Sequence, residues 1–472
     1  MTSQPWLGDA CSLVDAFRKG ELSPVEALDA SYGAISRSEL NAFCHLDEEA
    51  ARTAAAAADV SLPFGGVPIA VKELDCVEGW PYSEASLVFE GRVADSTSTM
   101  VERLRGAGAV LAGQTTASEF GGVNCTHTKI HGTTRNPWNP ERTPGGSSGG
   151  TAAAVAGGLI PIATGGDGGG SIRIPAGYVG MFGLKSTFGR IPRGPHTMQP
   201  PLTVTIGCIS RSVRDTARWF DVCNGFDPRD TLSLPRVEGW ETGLGGHLGE
   251  LRGKRAAIHV DLGAAFVNPA VAEIVTAGAE SLIADAGLER VDVSVSLPQA
   301  GFEWAMGNLV TLQASLGDLY PGCADLFTPE IMFGMNIATS QFNLVLAGAN
   351  EKFRIAMNES MADLFEEVDF VFCATNPDVP FNASGPLPLS VGDRDLAAEF
   401  GIEKALGNNG ALTMPANLTG NPAVTIPAGT LDGMPIGMQV IGKHHQEELL
   451  LDLAVVAERE RPWPLVAPGY PV

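Results

Sequence analysis

The chain has 472 residues, with 54 acidic against 31 basic side chains and a formal net charge of −23 at pH 7. Hydrophobic residues make up 44% of the sequence and charged residues 18%, a composition typical of a packed globular protein and not of a disordered chain. Proteins bind nucleic acid by neutralising its phosphates with Lys and Arg, so this charge argues against a nucleic-acid partner.

The eight cysteines stand singly, without a C-x-x-C pair or a histidine at ligand spacing beside them. This pattern disfavours a zinc ribbon and a disulfide framework. The N-terminal residues MTSQPWLGDA lack the basic and apolar segments of a secretion signal. No stretch reaches the roughly 18 consecutive apolar residues of a membrane span. We therefore expect a soluble, cytoplasmic protein that does not enter a membrane.

In chain order, residues 1–60 have helical patterns. Within them, Ser23-Pro24-Val25-Glu26 combines the N-cap serine, the first-turn proline and the glutamate of a capping box. We expect these residues to form a helical segment that packs on a core built by residues 61–472. No internal repeat, charge block or polar linker divides the chain into independent domains.

From Val67 onward, apolar runs of strand length alternate with helices, which predicts one large α/β domain with helices on both faces of its sheet. The predicted strands are 67–71, 109–112, 290–295, 368–373 and 438–441. Helices are expected to start at three caps: Thr99, Ser212 and Asn268. Helical periodicity dominates residues 302–364 and predicts a lid or flank at about 300–366.

Two loops rich in glycine and serine stand out, PGGSSGG at 144–150 and GGDGGGS at 165–171. A flexible linker is disfavoured because an Ala-rich helix and an apolar strand separate the loops. A phosphate loop needs a lysine at a fixed place, and none stands there. The first loop fits G-x-S-x-G with Ser148 as nucleophile, but a hydrolase elbow follows a strand, and residues 135–140 (RNPWNP) are turn-forming.

In the remaining interpretation, both loops are catalytic. Gly168, Gly169 and Gly170 let consecutive backbone N–H groups converge on a developing oxyanion, directly before Ser171 as nucleophile. None of the eight histidines is marked as its base by its place in the sequence. Lys72 follows an apolar strand, and it can serve as the base if burial keeps its amine neutral.

The sequence resembles the amidase signature family over about residues 27–462. Five segments carry the resemblance: GVPIAVK at 66–72, the two Gly/Ser loops, GLK at 183–185 and GMPIGMQ at 433–439. It implies the amidase signature fold over residues 61–472, a single large α/β domain whose mixed central sheet is covered by helices on both faces.

Position by position, the resemblance implies Ser171 as nucleophile, Ser147 as a bridging serine held by a cis peptide, and Lys72 as base. It implies an oxyanion hole formed by the backbone of Gly168, Gly169, Gly170 and Ser171. Three further residues are expected to support the loops without reacting: Ser148, Asp167 and Arg173.

Three positions depart from the residues usual in that family. Glu73 follows the lysine in place of Asp, Gly168 stands where Thr or Ile is usual, and Ser186 replaces Pro after Lys185. None of these changes removes a reacting group. They bear on loop stiffness and pocket shape, and so on the substrate.

Simpler roles are favoured for other candidate groups. His127 and His131 stand four apart, but nearby glycines predict a loop, which favours surface or pocket-rim histidines over a metal site. Cys125 has no identifiable base and is favoured as a small buried residue. Several large residues of the flank are favoured as ordinary core over a pocket wall: Trp304, Met306, Phe327, Met332, Phe333 and Met335.

The sequence therefore predicts an amidohydrolase that cleaves the C–N bond of a small, neutral carboxamide, aryl and carbamate-like substrates included, through a serine acyl-enzyme. Neither a metal nor an organic cofactor is expected, because backbone donors hold the oxyanion. Two alternatives use the same triad: a glutaminase-type amidase subunit of an amidotransferase, and an esterase or carbamate hydrolase. The expected partner is a small-molecule amide, without nucleic acid or membrane, and a homodimer is left open.

Overall fold

The computed structural model describes residues 4–196 and 200–471. Residues 1–3, at the start of the expected segment 1–60, and residue 472, at the end of the expected domain 61–472, lie outside the described residues. The strands are β1 (Phe43–Leu46), β2 (Pro68–Lys72), β3 (Val110–Thr115), β4 (His127–Thr128), β5 (Gly132–Thr133), β6 (Ile162–Asp167), β7 (Phe182–Lys185), β8 (Thr205–Ser210), β9 (Arg255–Ile258), β10 (Glu289–Arg290), β11 (Phe370–Ala374), β12 (Ser390–Val391), β13 (Arg394–Asp395), β14 (Ala423–Leu431) and β15 (Met434–Gly442).

The α-helices are α1 (Ala10–Lys19), α2 (Pro24–Arg37), α3 (Glu48–Ala56), α4 (Thr99–Gly106), α5 (Gly149–Ala156), α6 (Arg173–Val179), α7 (Val213–Cys223), α8 (Leu248–Leu251), α9 (Pro269–Ala286), α10 (Gly301–Leu316), α11 (Pro329–Gln341), α12 (Leu344–Glu367), α13 (Leu396–Phe400), α14 (Ile402–Asn408), α15 (Met414–Thr419) and α16 (Glu447–Glu460). Among residues 4–196 and 200–471, none of the helices combines the length and the apolar composition that a membrane span requires.

The main sheet has 11 strands in the order β1-β3-β2-β6-β8-β7-β14-β15-β11-β9-β10. Strand β2 runs parallel to β3 and β6, whereas β6, β8 and β7 are joined by antiparallel pairs. The long hairpin β14–β15 continues the sheet, and β9 runs parallel to β11. The sheet is therefore mixed, which confirms the predicted fold class.

Helices cover both faces of this sheet, and the strand alternation of β2 separates the two cores. Ile69 and Val71 pack in one apolar cluster with α7, α9 and α16, whereas Ala70 packs in the other with α5 and α6. Side chains alternate between the faces of a strand. Lys72, two residues beyond Ala70, therefore extends on the side of α5, where the first Gly/Ser loop lies.

The N-terminal segment contains the helices α1, α2 and α3, joined by loops and by one short strand. The capping box forms at α2, where the Ser23 side chain accepts from the Glu26 N–H and the Glu26 carboxylate accepts from the Ser23 N–H. Residues 43–46 form β1 instead of helix, and they pair with β3 at the edge of the sheet. A four-residue run is too short for its periodicity to distinguish strand from helix.

Two predicted details differ from the structure. Helix α4 has Ser98 as its N-cap, so Thr99 lies inside the helix and its hydroxyl instead donates to Asp227. The predicted strand 290–295 is reduced to its first residue, because only Glu289–Arg290 pairs with β9. The caps of α7 and α9 form as predicted, at Ser212 and Asn268.

Helices α10, α11 and α12 occupy the stretch for which a lid or flank is expected. Part of it has a small core of its own, in which Phe327, Ile331 and Met335 are buried. For Phe327 and Met335 the role of ordinary core is therefore confirmed. Helix α10 lies against the second Gly/Ser loop, since the Trp304 indole Nε1–H donates to the Gly168 carbonyl at 2.6 Å.

Candidate active site

Lys72 ends β2 and reaches the first Gly/Ser loop. Its Nζ lies 2.7 Å from Ser147 Oγ and 2.9 Å from Ser148 Oγ, and the residue is only 2% exposed. Burial lowers the pKa of the amine from 10.5 to about 8. Three carboxylates limit that decrease: Asp75, Asp167 and Glu73. A substantial neutral fraction of the amine is therefore available in mildly alkaline solution.

The first Gly/Ser loop presents two serines to that amine but exposes only one of them to a cavity. The Gly146–Ser147 peptide is cis, and the Ser147 side chain lines a cavity together with Lys72. Ser148 is fully buried at the N-cap position of α5. A nucleophile must reach its substrate, so this burial argues against Ser148 as the attacking group of an elbow.

The second Gly/Ser loop begins in the last three residues of β6 and folds around a buried ion pair. The Asp167 carboxylate accepts from the Gly170 N–H at 2.8 Å and from Arg173 Nε at 2.9 Å. Burial alone would raise the pKa of Asp167, but the charge and hydrogen bonds of Arg173 outweigh it and hold the pKa well below its usual range. Asp167 and Arg173 are thus a fully buried ion pair inside the turn of the loop.

The backbone of this loop is fixed by two residues that lie far beyond it in the sequence. The carbonyls of Gly168 and Gly169 accept from Trp304 Nε1 and Thr413 Oγ1, each at 2.6 Å. The Gly170 N–H is occupied by Asp167, whereas among the described residues no acceptor takes up the N–H of Gly169 or Ser171. Of the four backbone groups predicted for an oxyanion hole, Gly170 is therefore the one already engaged.

Glycine is required in this loop for steric reasons. A Cβ on Gly169 would come within 2.8 Å of the Trp304 ring, and one on Gly170 would come within 2.4 Å of Thr413 Oγ1. Gly170 also has a φ of +125°, a conformation that L side chains rarely adopt.

Sequence reasoning missed the distant residues that complete the loop. The Arg173 guanidinium donates to the side-chain oxygens of Asn417 and Gln439. The Asn417 amide also donates to the Asp167 carbonyl at 2.9 Å. Gln439 carried part of the resemblance, but Asn417 and Thr413 lie more than 240 residues beyond their partners in the chain, and no local pattern marks them.

Ser171 is half-buried where two cavities meet. We call the first the apolar cavity, whose lining includes Ile174, Phe302, Met306, Ile337, Leu406 and Met414. We call the second the polar cavity, whose lining includes Lys72, Asp75, Ser147, Arg193, Asn308 and Thr311. Trp304 lines both, and Met306 and Phe333 line the apolar one, so these three residues form pocket wall instead of the predicted plain core.

His127 and His131 do not share a site. The His127 ring is exposed and contacts Thr133 Oγ1, whereas His131 Nε2 lies 2.8 Å from the Glu73 carboxylate. Cys44, Glu73 and His131 bring potential ligand atoms within 4.8 Å of one another. The same carboxylate also accepts from the Ala117 N–H at 2.7 Å, so its hydrogen bonds are explained by the protein itself.

Cys125 fits the predicted role of a small buried residue. Burial raises the pKa of its thiol to about 12, so the thiolate needed for nucleophilic attack is scarce at neutral pH.

Comparison with known proteins identifies the family of the chain. The sequence profile of the amidase family matches residues 26–451. The chain is 32% identical to a glutamyl-tRNA(Gln) amidotransferase subunit of Chloroflexus aurantiacus over 95% of both chains. A bacterial aryl acylamidase of the amidase signature family has the same fold with a TM-score of 0.88, at 26% identity over 98% of both chains. The 6-aminohexanoate cyclic dimer hydrolase matches with a TM-score of 0.85, at 28% identity over 98% of this chain and 99% of that one. The chain therefore belongs to the amidase signature family and is an amidase.

Proposed function

We propose that this amidase hydrolyses a small, neutral carboxamide through an acyl-enzyme on Ser171, with Ser147 as the proton relay and Lys72 as the base. The observation that carries the proposal is the buried contact of 2.7 Å between Lys72 Nζ and Ser147 Oγ in a cavity that Ser171 also lines.

In the first half of the reaction, neutral Lys72 takes the proton of Ser147, and Ser147 takes the proton of Ser171. Ser171 Oγ forms a bond to the amide carbon, and the electron pair of the C=O bond moves to oxygen. The N–H groups of Gly169 and Ser171, which no described residue takes up, would stabilise that oxyanion. Collapse of the intermediate breaks the C–N bond, and the proton returns through Ser147 to the leaving amine.

In the second half, water attacks the ester carbon of the acyl-enzyme. The same relay removes a proton from the water and returns one to Ser171, which releases the carboxylic acid. The fully buried pair Asp167 and Arg173 holds the loop in shape throughout and takes no part in the proton transfers.

The lining of the apolar cavity supports a neutral substrate. Among the described residues that line it, Glu403 is the one with a charged side chain. A substrate carboxylate would therefore lose its water of hydration there without gaining a cationic partner. The net charge of −23 adds a long-range repulsion toward anionic substrates.

A second candidate is the glutaminase-type component of an amidotransferase, and it is favoured by the 32% identity with a glutamyl-tRNA(Gln) amidotransferase subunit. Glutamine carries an α-carboxylate that needs a cationic partner, and the apolar cavity lacks one among its described lining residues. An esterase or carbamate hydrolase would use the same nucleophile and relay. We favour the amidase that acts alone on a neutral substrate.

The test is the release of ammonia or amine by the purified chain alone. We would compare kcat/KM for a neutral aryl amide, glutamine and the half-amide of a dicarboxylic acid at fixed ionic strength, with the Ser171→Ala variant as control. The proposal predicts the highest value for the neutral amide. Glutamine turnover that appears only when partner proteins and tRNA are added would establish the second candidate, and a preference for the half-amide would overturn the neutral-substrate claim.

A further inference from the structure

We propose that Ser171 divides the substrate between the two cavities, with the acyl part in the apolar cavity and the leaving amine in the polar cavity. The substrate class is then the amide of an apolar carboxylic acid, with a polar amine or ammonia as the leaving group. This assignment rests on the proposed function, because it uses the direction in which the proton relay delivers its proton.

The position of the relay places the leaving amine. When the C–N bond breaks, the electron pair stays on nitrogen, and nitrogen must receive a proton from Ser147 Oγ at hydrogen-bond distance. Ser147 and Lys72 both line the polar cavity, and neither lines the apolar cavity. The amine nitrogen must therefore lie on the polar side of Ser171, and water reaches the acyl-enzyme from that side after the amine has left.

The acyl substituent of the carbonyl carbon can then extend in only one direction. Ser171 Oγ occupies one position on this carbon, and the oxyanion points to the backbone N–H groups of the glycine loop. The acyl substituent extends past Gly169 and Ile174 into the cavity that Met306, Leu406 and Met414 line. Apolar walls without a cationic side chain favour an alkyl or aryl group at this position.

The polar cavity is lined by charged groups of both signs. Its described lining contains three carboxylates, of Asp75, Glu84 and Glu330, and the guanidinium of Arg193 besides the Lys72 amine. Glu84 pairs with Arg92 at 2.6 Å, and Asp75 accepts from Thr164 Oγ1 at 2.7 Å. Arg92 thus compensates the charge of Glu84, and Lys72 and Arg193 act on Asp75. A lining of this kind suits a polar amine or ammonia, in contrast to the apolar walls on the other side of Ser171.

A matched pair of leucines tests this division. Leu406 and Leu312 are both half-buried, and Leu406 lines only the apolar cavity whereas Leu312 lines only the polar cavity. We would measure kcat/KM for one series of primary amides with acyl chains of increasing length. A second series would keep an acetyl group and vary the amine from ammonia to alkylamines and aniline.

The wild type is expected to prefer longer acyl chains. Leu406→Trp should lower kcat/KM for the longest primary amide by about tenfold or more relative to acetamide and leave the acetyl series unchanged, since blocked apolar contacts of this size change specificity by such factors. Leu312→Trp should lower kcat/KM for the largest amines of the acetyl series by a similar factor and leave the series of primary amides unchanged. If either Trp variant fails to fold, Leu406→Ala and Leu312→Ala should shift the preferred acyl length and the preferred amine size upward, respectively.

The outcomes separate the inference from the proposed function. If Leu406→Trp affected the amine series and Leu312→Trp the acyl series, the assignment of the two cavities would be reversed, while the proposed amidase function would stand. Equal effects of both variants on both series would overturn the division. If the wild type hydrolysed none of the amides, the proposed function would fail. The division would then be tested by covalent labelling with a long-chain alkyl fluorophosphonate. This probe should react with Ser171 more slowly in Leu406→Trp than in the wild type, and equal rates would refute the division.

Discussion

The proposed role of Lys72 as base requires a buried, neutral amine, and this burial conflicts with the stability of the fold. The pKa of this amine is about 8 in the folded chain against 10.5 when exposed. Between these pH values the unfolded chain binds a proton that the folded chain lacks, so the free energy of unfolding rises with pH in this window. Below about pH 8 both states are protonated, and the cost of burying the charge is present in full.

Replacing Lys72 with Met is expected to remove activity and to stabilise the protein. The gain should reach up to about 3 kcal/mol below pH 8, since each pKa unit corresponds to roughly 1.4 kcal/mol, and it should vanish toward pH 10.5. Urea unfolding at pH 7 and pH 10 measures the difference. Ser171→Ala is the control. It should be equally inactive, but because it keeps Lys72, its stability should depend on pH as that of the wild type does. A Lys72→Met variant less stable than wild type at pH 7 would contradict the buried, depressed amine.

The pH profile of catalysis should follow the same group. The protonated amine cannot accept a proton, so kcat/KM should fall with a slope of one proton as the pH drops below about 8, and it should persist on the alkaline side. His196 is the histidine among the described residues that line the polar cavity, and His196→Gln should leave this acid limb in place. If the limb disappeared in that variant, a histidine would be the base.

At the scale of elements, the turn from β6 into α6 depends on a buried ion pair. Arg173→Met leaves the Asp167 carboxylate without its cation, together with the unpaired oxygens of Asn417 and Gln439. We expect a loss of about 3–5 kcal/mol in the free energy of unfolding, as is usual when one partner of a buried pair is removed. Chemical denaturation measures this loss.

The control for that variant is Arg394→Met, which breaks the exposed ion pair with Glu399. Exposed pairs contribute about 0–1 kcal/mol, so little change is expected there. In the double variant Asp167→Asn/Arg173→Met, part of the lost stability should return, because no unpaired charge stays buried. A small effect of Arg173→Met, similar to that of the control, would show that the pair does not support the loop.

The contact between helix α10 and the glycine loop gives a second prediction at this scale. Trp304→Phe keeps an aromatic ring in the cavity wall but removes the hydrogen bond to the Gly168 carbonyl. We expect kcat to fall by about tenfold with a small change in Tm, because a loosened loop would misplace the proposed oxyanion donors. Trp240→Phe loses a similar bond to the Val237 carbonyl, outside both cavities, and should keep full activity. Equal activities of the two variants would contradict this role of Trp304.

Sequence patterns predicted the elements whose signals are local. The capping box of α2, the caps of α7 and α9, and strand β2 with its terminal lysine all depend on neighbouring residues. Strand β1 was missed, and 290–295 was overestimated, because strand pairing depends on partners far along the chain.

The residues of the candidate site also fall into two groups, those that the sequence indicates and those that only the structure shows. Lys72, Ser147 and Ser171 were selected by composition and resemblance, and the structure brings their side chains to one cavity. The supports of the loop could not be predicted from local patterns, because Trp304, Thr413 and Asn417 contact it across more than 130 residues of sequence. The engagement of the Gly170 N–H by Asp167 depends on the fold of the turn itself.

At the scale of the whole molecule, two properties separate the proposed stand-alone amidase from a protein that works on tRNA within a complex. The net charge of −23 repels a polyphosphate, and the apolar cavity has no cation among its described lining residues to hold an amino-acid carboxylate. The relatives include both kinds of protein, an aryl acylamidase and one component of an amidotransferase. Overall similarity therefore identifies the family, whereas the substrate has to be inferred from the residues that line the two cavities.

The most direct measurement is peptide mass spectrometry of the purified chain after reaction with a fluorophosphonate probe, for the wild type, Ser171→Ala, Ser148→Ala and Lys72→Met. Our account predicts one adduct, on Ser171, absent in Ser171→Ala, retained in Ser148→Ala and formed much more slowly in Lys72→Met. An adduct on Ser148, with Ser171→Ala still active on amides, would contradict it.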